Sequence, residues 1–379
     1  WRAMPPEMKR TYGTIMAIVD GARSDPKSPE HDIAWAVWQS ATFDADGRHH
    51  VDLLDTPWCN GAVFGNSADP DVPEQDRHAN LAHLNLRRLD EAMRKAEPHG
   101  GLAGVYLDSL EGWGMLKNYR REHFIAADLP LTFDTESRRP VILNAFSTQE
   151  WTEHIHRHMR QRGKTLMANA VPYNFPYLAL PLDLMGTETN WQKDGRFAPP
   201  SPDEMYLRRT LAWRKPYMFL MNTRYETWTS AMTERYMQTC LFYGMFPSFF
   251  SENAATNCYF ANPTRYERDR PLFRRYMPLL RRVAEAGWEP LTRASCDPGD
   301  VWLERWGSGG DKAFYLTVMN TADAVRRATI KLDPEFLQAR TAQALVTTRP
   351  FSSPATLTLD LAPNAVEVIS VKYGQRLVD

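Results

Sequence analysis

Gly104-Val105-Tyr106-Leu107-Asp108-Ser109 decides the reading of this chain. A short apolar run of this kind reads as a buried strand, and a carboxylate at its end is out of place in a core. Five other runs close in the same way: Gly61-Ala62-Val63-Phe64-Gly65-Asn66, Thr165-Leu166-Met167-Ala168-Asn169, Leu182-Asp183-Leu184-Met185-Gly186-Thr187-Glu188, Tyr217-Met218-Phe219-Leu220-Met221-Asn222 and Met245-Phe246-Pro247-Ser248-Phe249-Phe250-Ser251. Strands that repeatedly deliver polar, chemistry-capable side chains at their C-terminal ends describe an active-site rim, because a parallel barrel gathers all those ends on one face.

Between and before the runs lie stretches with helical spacing over residues 5–22, 77–96, 147–162, 203–214, 227–243 and 270–287. Ile33–Gln39 reads as a strand or core segment, 44–47 as a turn, 69–76 as a polar loop, and the chain from 109 to about 146 as an insertion. Strands alternating with helices imply parallel pairing through right-handed crossovers. The expected fold is therefore α/β, a (β/α)8-type TIM barrel. Six strands are identifiable and eight are needed for closure, so the six are numbered three to eight and the first two are expected upstream. The chain opens on Trp1 and carries no signal peptide, which reads as a piece of a longer protein, with a secreted or periplasmic location favoured over the cytoplasm. Near residue 299 the pattern changes to short strands with period-two alternation, at 301–306, 313–319, 328–332, 342–346, 355–360 and 365–371, the signature of an antiparallel β-sandwich. The expected division is a barrel over 1–298 and a sandwich over 299–379.

The totals exclude several classes. With 379 residues, 43% hydrophobic and 24% charged, the composition is that of a globular domain pair. A net charge of −1 gives no electrostatic case for nucleic acid or an anionic membrane, and no apolar stretch approaches the ~20 residues that span a bilayer. Cys59, Cys240, Cys258 and Cys296 show no CxxC spacing, which argues against a metal cage and leaves open one disulfide, Cys240 to Cys258. His154 and His158 share a helical face, but among basic neighbours in mid-crossover they read as a solvated surface. Asn66–Asp71 with Asp76 lacks the frame of a calcium loop. Without GxSxG, P-loop or GxGxxG, serine hydrolase, nucleotide and dinucleotide chemistry are disfavoured. No cofactor and no metal are expected.

Asp108 and Glu188 are the candidate catalytic pair. On the strand count above they end alternate strands, which contribute to one layer of a barrel interior. Neighbouring strands lie ~4.8 Å apart, so two inward carboxyls on such ends face each other at about 5–9 Å, the separation used in glycosidic bond hydrolysis. Asp108 would serve as nucleophile or base and Glu188 as general acid, raised by an apolar site; the competing reading of Glu188 is a group orienting Arg224 or Lys193. Glu111, Asp183 and Glu226 are weaker acids for these roles. Asn66, Asn169, Asn222 and Arg224 suit hydrogen bonds to sugar hydroxyls, or else pin rim loops. Trp113, Tyr173, Trp191 and Tyr225 could form stacking walls, or else pack in the core. Arg224 and Tyr225 also leave open action on uronic acids.

The Gly-Val-Tyr-Leu-Asp-Ser strand end, Gly186-Thr187-Glu188-Thr189-Asn190-Trp191 two strands later and a small C-terminal sandwich together resemble the glycoside hydrolase TIM-barrel superfamily, in the branch that includes the α-galactosidases and α-glucosidases. The resemblance implies a catalytic Asp at the end of strand four, matched by Asp108, and an acid/base at the end of strand six, matched by Glu188. It also implies an oligosaccharide, polysaccharide or glycoconjugate as partner. The chain departs from the pattern in carrying Tyr106 where a Lys would precede the acid, and Glu rather than Asp on strand six. These departures keep a second expectation in view, a non-catalytic carbohydrate-binding barrel.

Overall fold

Small polar residues set the helix starts. Thr11 accepts the Thr14 N–H at 3.3 Å to open α1 (Tyr12–Ser24), and Asn80 accepts the His83 N–H at 2.8 Å to open α3 (Leu81–Ala96). Between them, α2 (His31–Ser40) occupies the segment expected as a strand or core segment; its first and last turns close through the Ala34 N–H to Glu30 and the Ala41 N–H to Val37 at 2.9 and 2.8 Å, with Ala34, Ala36, Gln39 and Ser40 buried. The computed structural model describes residues 5, 11–253, 257–308, 313–334, 339–353 and 355–373, so the first part of the expected 5–22 helix, residues 6–10, lies outside the described residues. Two compact units are distinguished, Trp1–Gly186 and Thr187–Asp379.

In the first unit, β1 (Val51–Asp55) and β2 (Asn60–Phe64) form an antiparallel hairpin, in register from Val51 opposite Phe64 to Asp55 opposite Asn60. The run ending at Asn66 is therefore not a parallel strand. Its partner is next to it in sequence: Thr56 and Cys59 exchange backbone hydrogen bonds at 2.9 and 3.2 Å across a tight turn, and local pairing needs no crossover. After α3, β3 (Gly104–Leu107) begins the parallel sheet. Residues 109–143, within the stretch expected as an insertion, hold a three-stranded antiparallel sheet of β4 (Lys117–Asn118), β5 (Thr132–Phe133) and β6 (Pro140–Leu143), ordered β4-β6-β5. Then come α4 (Asn144–Arg160), β7 (Thr165–Ala168) and β8 (Leu184–Thr189), which starts in this unit. β3 pairs parallel with β7, and β7 with the start of β8. Gly104 is required for the close approach of β3 to β7: a Cβ there would lie 2.2 Å from the Thr165 carbonyl oxygen. β3 is not the buried strand expected, since Tyr106 is 41% exposed and the run upstream of it has left the sheet for the hairpin.

The second unit continues β8 and adds the small hairpin β9 (Gln192–Lys193) and β10 (Arg196–Phe197), then α5 (Pro202–Ala212), β11 (Tyr217–Met221), α6 (Ser230–Tyr243), β12 (Phe246–Phe249) and α7 (Pro263–Ala286). β11 pairs with β8 on one side and runs parallel to β12 on the other. The described parallel strands are thus five, β3, β7, β8, β11 and β12, not six. α7 starts earlier than its periodicity suggests, because Asn262 caps it at Thr264 N–H (3.0 Å) with Pro263 in the first turn, while Pro271 and Pro278 inside it masked the pattern. Gly244 ends α6 in the left-handed region at φ 65°, and a Cβ there would sit 2.2 Å from the Trp306 ring.

The antiparallel layers follow the expected strands closely. β13 (Trp288–Glu289), β15 (Val301–Trp306), β16 (Ala313–Asn320), β18 (Ala339–Ala344) and β20 (Val366–Tyr373) form a sheet in the order β13-β15-β16-β20-β18, and β14 (Ala294–Asp297), β17 (Arg326–Leu332) and β19 (Thr356–Leu361) form a second in the order β14-β17-β19. Alternation places Leu357, Leu359 and Leu361 inward with Phe314, Leu316, Val318, Ile330 and Val371 in one core. All four cysteines are free thiols, Cys240 fully buried, so the disulfide is not formed. Among the described residues no helix is long and apolar enough to cross a membrane.

Candidate functional site

The first unit carries Asp108. Period two along β3 puts Tyr106 and Asp108 on one face, and the Tyr106 hydroxyl donates to Asp108 Oδ1 at 3.2 Å. Asp108 itself is exposed. The chain turns directly after it: Ser109 has φ 51°, in the left-handed region. That turn is held from β7. Asn169 accepts the Ser109 N–H on Oδ1, accepts the Leu110 N–H on its carbonyl at 3.1 Å, and donates its own N–H to Leu107 at 3.2 Å. Asn169 is 1% exposed, so of its two expected roles it fills the loop-pinning one and is withdrawn as a sugar ligand.

Glu111 does the same work one step further out. It is 8% exposed, and its carboxylate accepts three backbone N–H groups: Tyr173 on Oε1 at 2.7 Å, and Asn174 and Phe175 on Oε2 at 2.6 and 3.2 Å. It thereby ties the loop after β7 to the loop after β3. The Tyr173 ring, presented by that loop, is 41% exposed. Trp113 is half-buried and donates its indole N–H to Asp52 of β1 at 3.1 Å, which anchors the hairpin beside the Asp108 loop. Asn66 closes the hairpin's exit; its Nδ2 donates to the Phe64 carbonyl at 3.0 Å and its Oδ1 is buried.

The second unit carries Glu188, exposed near the end of β8. Asn222, at the end of β11, donates its side-chain N–H to Glu188 Oε2 at 2.8 Å, and its backbone N–H to the Thr189 carbonyl at 3.1 Å. Arg224 pairs with Glu252 at 3.1 Å, the partner it takes in place of the expected Glu188. Glu226 is bonded to Asn257 at 2.9 Å and faces Arg265 at 3.4 Å.

Two expected stacking residues are core. Trp191 is fully buried, its ring centroid 4.5 Å from Tyr236 and 5.1 Å from Phe219. Tyr225 is 3% exposed, with its hydroxyl donating to the Met221 carbonyl at 2.9 Å and accepting the Phe250 N–H at 3.0 Å; burial holds that phenol far above its usual range. Neither ring presents a face to a ligand. The uronic-acid reading, which needed Tyr225, loses that residue. Sequence reasoning missed the role of Tyr106, although its i, i+2 relation to Asp108 was the available signal. It also underrated Glu111 as a clamp, for which the sequence carries no signal.

The other acid-rich and histidine-rich stretches are structural. In the loop expected not to bind calcium, Asp69 is 3% exposed, accepts the Asp71 N–H at 2.8 Å and shares a hydrogen bond with Glu150 of α4. Glu150 Oε1 accepts the Asp128 and Leu129 N–H groups at 2.8 and 2.7 Å. Burial, with the Asp69 charge beside it, pushes the Glu150 carboxyl up to about 7. On α4 the histidines are half-buried rather than solvated: His158 bonds Asp90 at 2.7 Å and His154 stacks on Trp151. Among the described residues no group of three or more His, Cys, Asp or Glu side chains is arranged to hold a metal.

No family model matches this sequence, and no curated protein matches it. Solved structures with a similar chain path are glycoside hydrolases. A GH27 β-L-arabinopyranosidase from Geobacillus stearothermophilus is 12% identical at a TM-score of 0.38, over 61% of this chain and 55% of that one. This chain thus spans about half the length of that enzyme. A putative α-N-acetylgalactosaminidase from Bacillus halodurans is 10% identical at a TM-score of 0.42, over 84% and 85%. An α-amylase from Geobacillus thermoleovorans, complexed with acarbose, is 9% identical at 0.48, over 93% and 74%.

Proposed function

We propose that this chain is a glycoside hydrolase, with Asp108 as nucleophile or base and Glu188 as general acid. The observation that carries the reading is the state of these two groups. Each is an exposed carboxylate at or near the C-terminal end of a parallel strand, and each takes a hydrogen bond from a neighbouring side chain, Tyr106 for Asp108 and Asn222 for Glu188. In such a site the base carboxylate attacks, or activates a water that attacks, the anomeric carbon. The second carboxyl gives its proton to the departing glycosidic oxygen. The Tyr106 hydroxyl, donating to Asp108 Oδ1 at 3.2 Å, orients that carboxylate. Tyr173 and Trp113 supply ring faces for the apolar side of a sugar, and Arg224 supplies a guanidinium at the rim; Asn66, its amide nitrogen bonded to Phe64 and its oxygen buried, pins its own loop instead. The architecture that goes with this reading is a (β/α)8-type barrel over 1–298 and a sandwich over 299–379.

Asp108→Asn tests it on a panel of aryl glycosides. The amide keeps the Tyr106 contact and removes the charge, so turnover should fall by roughly 10²–10⁴ with the melting temperature moved by no more than ~2 °C. Full activity in the variant removes Asp108 from the chemistry. No turnover of any aryl glycoside by the parent, with saturable oligosaccharide binding retained, favours the binding barrel instead.

A further inference from the structure

The second unit holds a cavity of about 170 Å³ that none of the residues above enters. Its walls come from the segment after β10 (Phe197, Pro199, Pro200), from α5 (Met205) and from α6 (Arg235, Thr239, Tyr243). The remaining wall comes from β15 and β16 (Trp302, Met319) and the turn before β20 (Asn364). Trp302 is held by aromatic neighbours, 6.2 Å from Tyr206 and 6.5 Å from Phe242, and remains half-buried rather than sealed. Apolar and aromatic surface with a few convergent polar groups is the composition of a small-molecule site. The volume is below the roughly 300–1,000 Å³ of sites for drug-sized ligands, so it suits one ring rather than a chain of them.

The polar rim is organised around one cation. The Arg235 guanidinium lies over the Phe197 ring at 4.7 Å and donates to Asn364 Oδ1 at 3.1 Å. The Asn364 amide is turned to accept this bond, because its Nδ2 faces Asp323 at 3.5 Å. Among the described residues, these Arg235 contacts are to neutral groups, and no carboxylate is among the lining side chains. A guanidinium presents five donors in a planar fork matched to a carboxylate, and the Asn364 bond uses one. We propose that this cavity is a binding site for a small ring bearing one carboxylate, the ring against Trp302, Met319 and Pro200 and the carboxylate on Arg235. Two sources share that chemistry, a uronic acid sugar and an aromatic acid. The proposal is independent of Asp108 and Glu188.

Titration calorimetry of the full chain decides it, with D-glucuronate and benzoate as probes and D-glucose and benzyl alcohol as their neutral counterparts. At least one acid should bind saturably with a dissociation constant below about 10 mM, and roughly tenfold or more tightly than its neutral partner. Glucuronate alone identifies a sugar source, benzoate alone an aromatic one, and both together a site that reads ring and charge only. Arg235→Gln, on an exposed helix position, should weaken the acid about tenfold and leave the neutral compound unchanged; Arg235→Lys, which keeps the charge without the fork, should fall between. The proposal is overturned if neither acid saturates in that range, or if acid and neutral partner bind equally, which the unmodified protein alone reveals. It is equally overturned if a folded Arg235→Gln binds the acid as well as the parent does.

Discussion

Replacing Glu111 by Gln should loosen the rim without unfolding the unit. The carboxylate is 8% exposed and serves three donors, Tyr173 N–H at 2.7 Å on one oxygen and Asn174 and Phe175 N–H at 2.6 and 3.2 Å on the other. An amide has a single oxygen. If it takes the place that serves Asn174 and Phe175, its NH₂ points at the Tyr173 N–H, donor against donor; the other orientation orphans two donors. One buried N–H left without a partner costs about 1–3 kcal/mol, and the surviving bonds lose their charge assistance, ~1 kcal/mol more. The total is about 2–4 kcal/mol, and it falls on the opening of the 170–175 loop rather than on global unfolding. Hydrogen exchange at the Tyr173, Asn174 and Phe175 amides reads it directly. Protection should drop by roughly 30- to 1,000-fold, at about tenfold per 1.4 kcal/mol, while amides in β7 stay within a few-fold. Aryl glycosidase turnover should fall in parallel if Tyr173 lines the subsite. Unchanged protection at these three amides refutes the clamp.

Two further outcomes follow from the packing and the charges. Glu150 has its carboxyl raised from 4.5 to about 7 in the folded chain, so the folded state holds a proton that the unfolded state releases. Its contribution is therefore full below about pH 4.5 and is lost as pH rises toward 7. The ceiling of ~3 kcal/mol falls to about 1–2 kcal/mol once half-exposure is allowed for. Glu150→Gln, whose amide oxygen can keep the Asp128 and Leu129 bonds, should remove this decline from a denaturant-midpoint profile between pH 5 and 8, and a parallel profile refutes it. Gly244→Ala must hold φ 65° and displace the Trp306 ring, which together cost about 2–4 kcal/mol; a midpoint within error of the parent would mean that this helix end re-forms without strain.

The sequence was most legible where one face of an element is buried. Period-two alternation marked the C-terminal strands, and in the one expected at 355–360 the structure buries Leu357 and Leu359. It was least legible where a local partner competes with a distant one. Gly61–Asn66 has the composition of a parallel strand, but Val51–Asp55 lies within reach of a tight turn and claims it. Ile33–Gln39 is short and apolar enough to suit strand or helix, and burial of Ala34 and Ala36, two residues apart, reads as a strand period although the backbone bonds Ala34 to Glu30 and Ala41 to Val37 make it a helix. Among site residues the strand-end rule located Asp108, Glu188 and Asn222, which the structure leaves exposed or partly so. It could not separate rim from core for aromatic side chains, because Trp191 and Tyr225 differ from Tyr173 only in what packs over them.

Acids across the two units differ in the origin of their hydrogen bonds, and the roles proposed for Asp108 and Glu188 draw on that difference. Glu111 is filled by three backbone N–H groups, Asp183 takes the Leu166 N–H at 2.8 Å, and Glu367 takes those of Val346 and Thr347 at 2.7 and 3.1 Å. Asp269, wholly buried, takes the hydroxyls of Thr233 and Tyr259 and the guanidinium of Arg268. Backbone donors cannot follow a carboxylate that changes charge or moves, so an acid saturated by them is fixed scaffolding. Asp108 and Glu188 are both exposed, and each takes a bond from a phenol or amide side chain that can rotate to suit a new partner. A group that must exchange a proton or form a bond at an anomeric carbon needs that latitude. Glu226 and Glu252 are exposed as well, but each is engaged by an arginine, Arg265 and Arg224, and a carboxylate that must meet a substrate would first have to give up that partner.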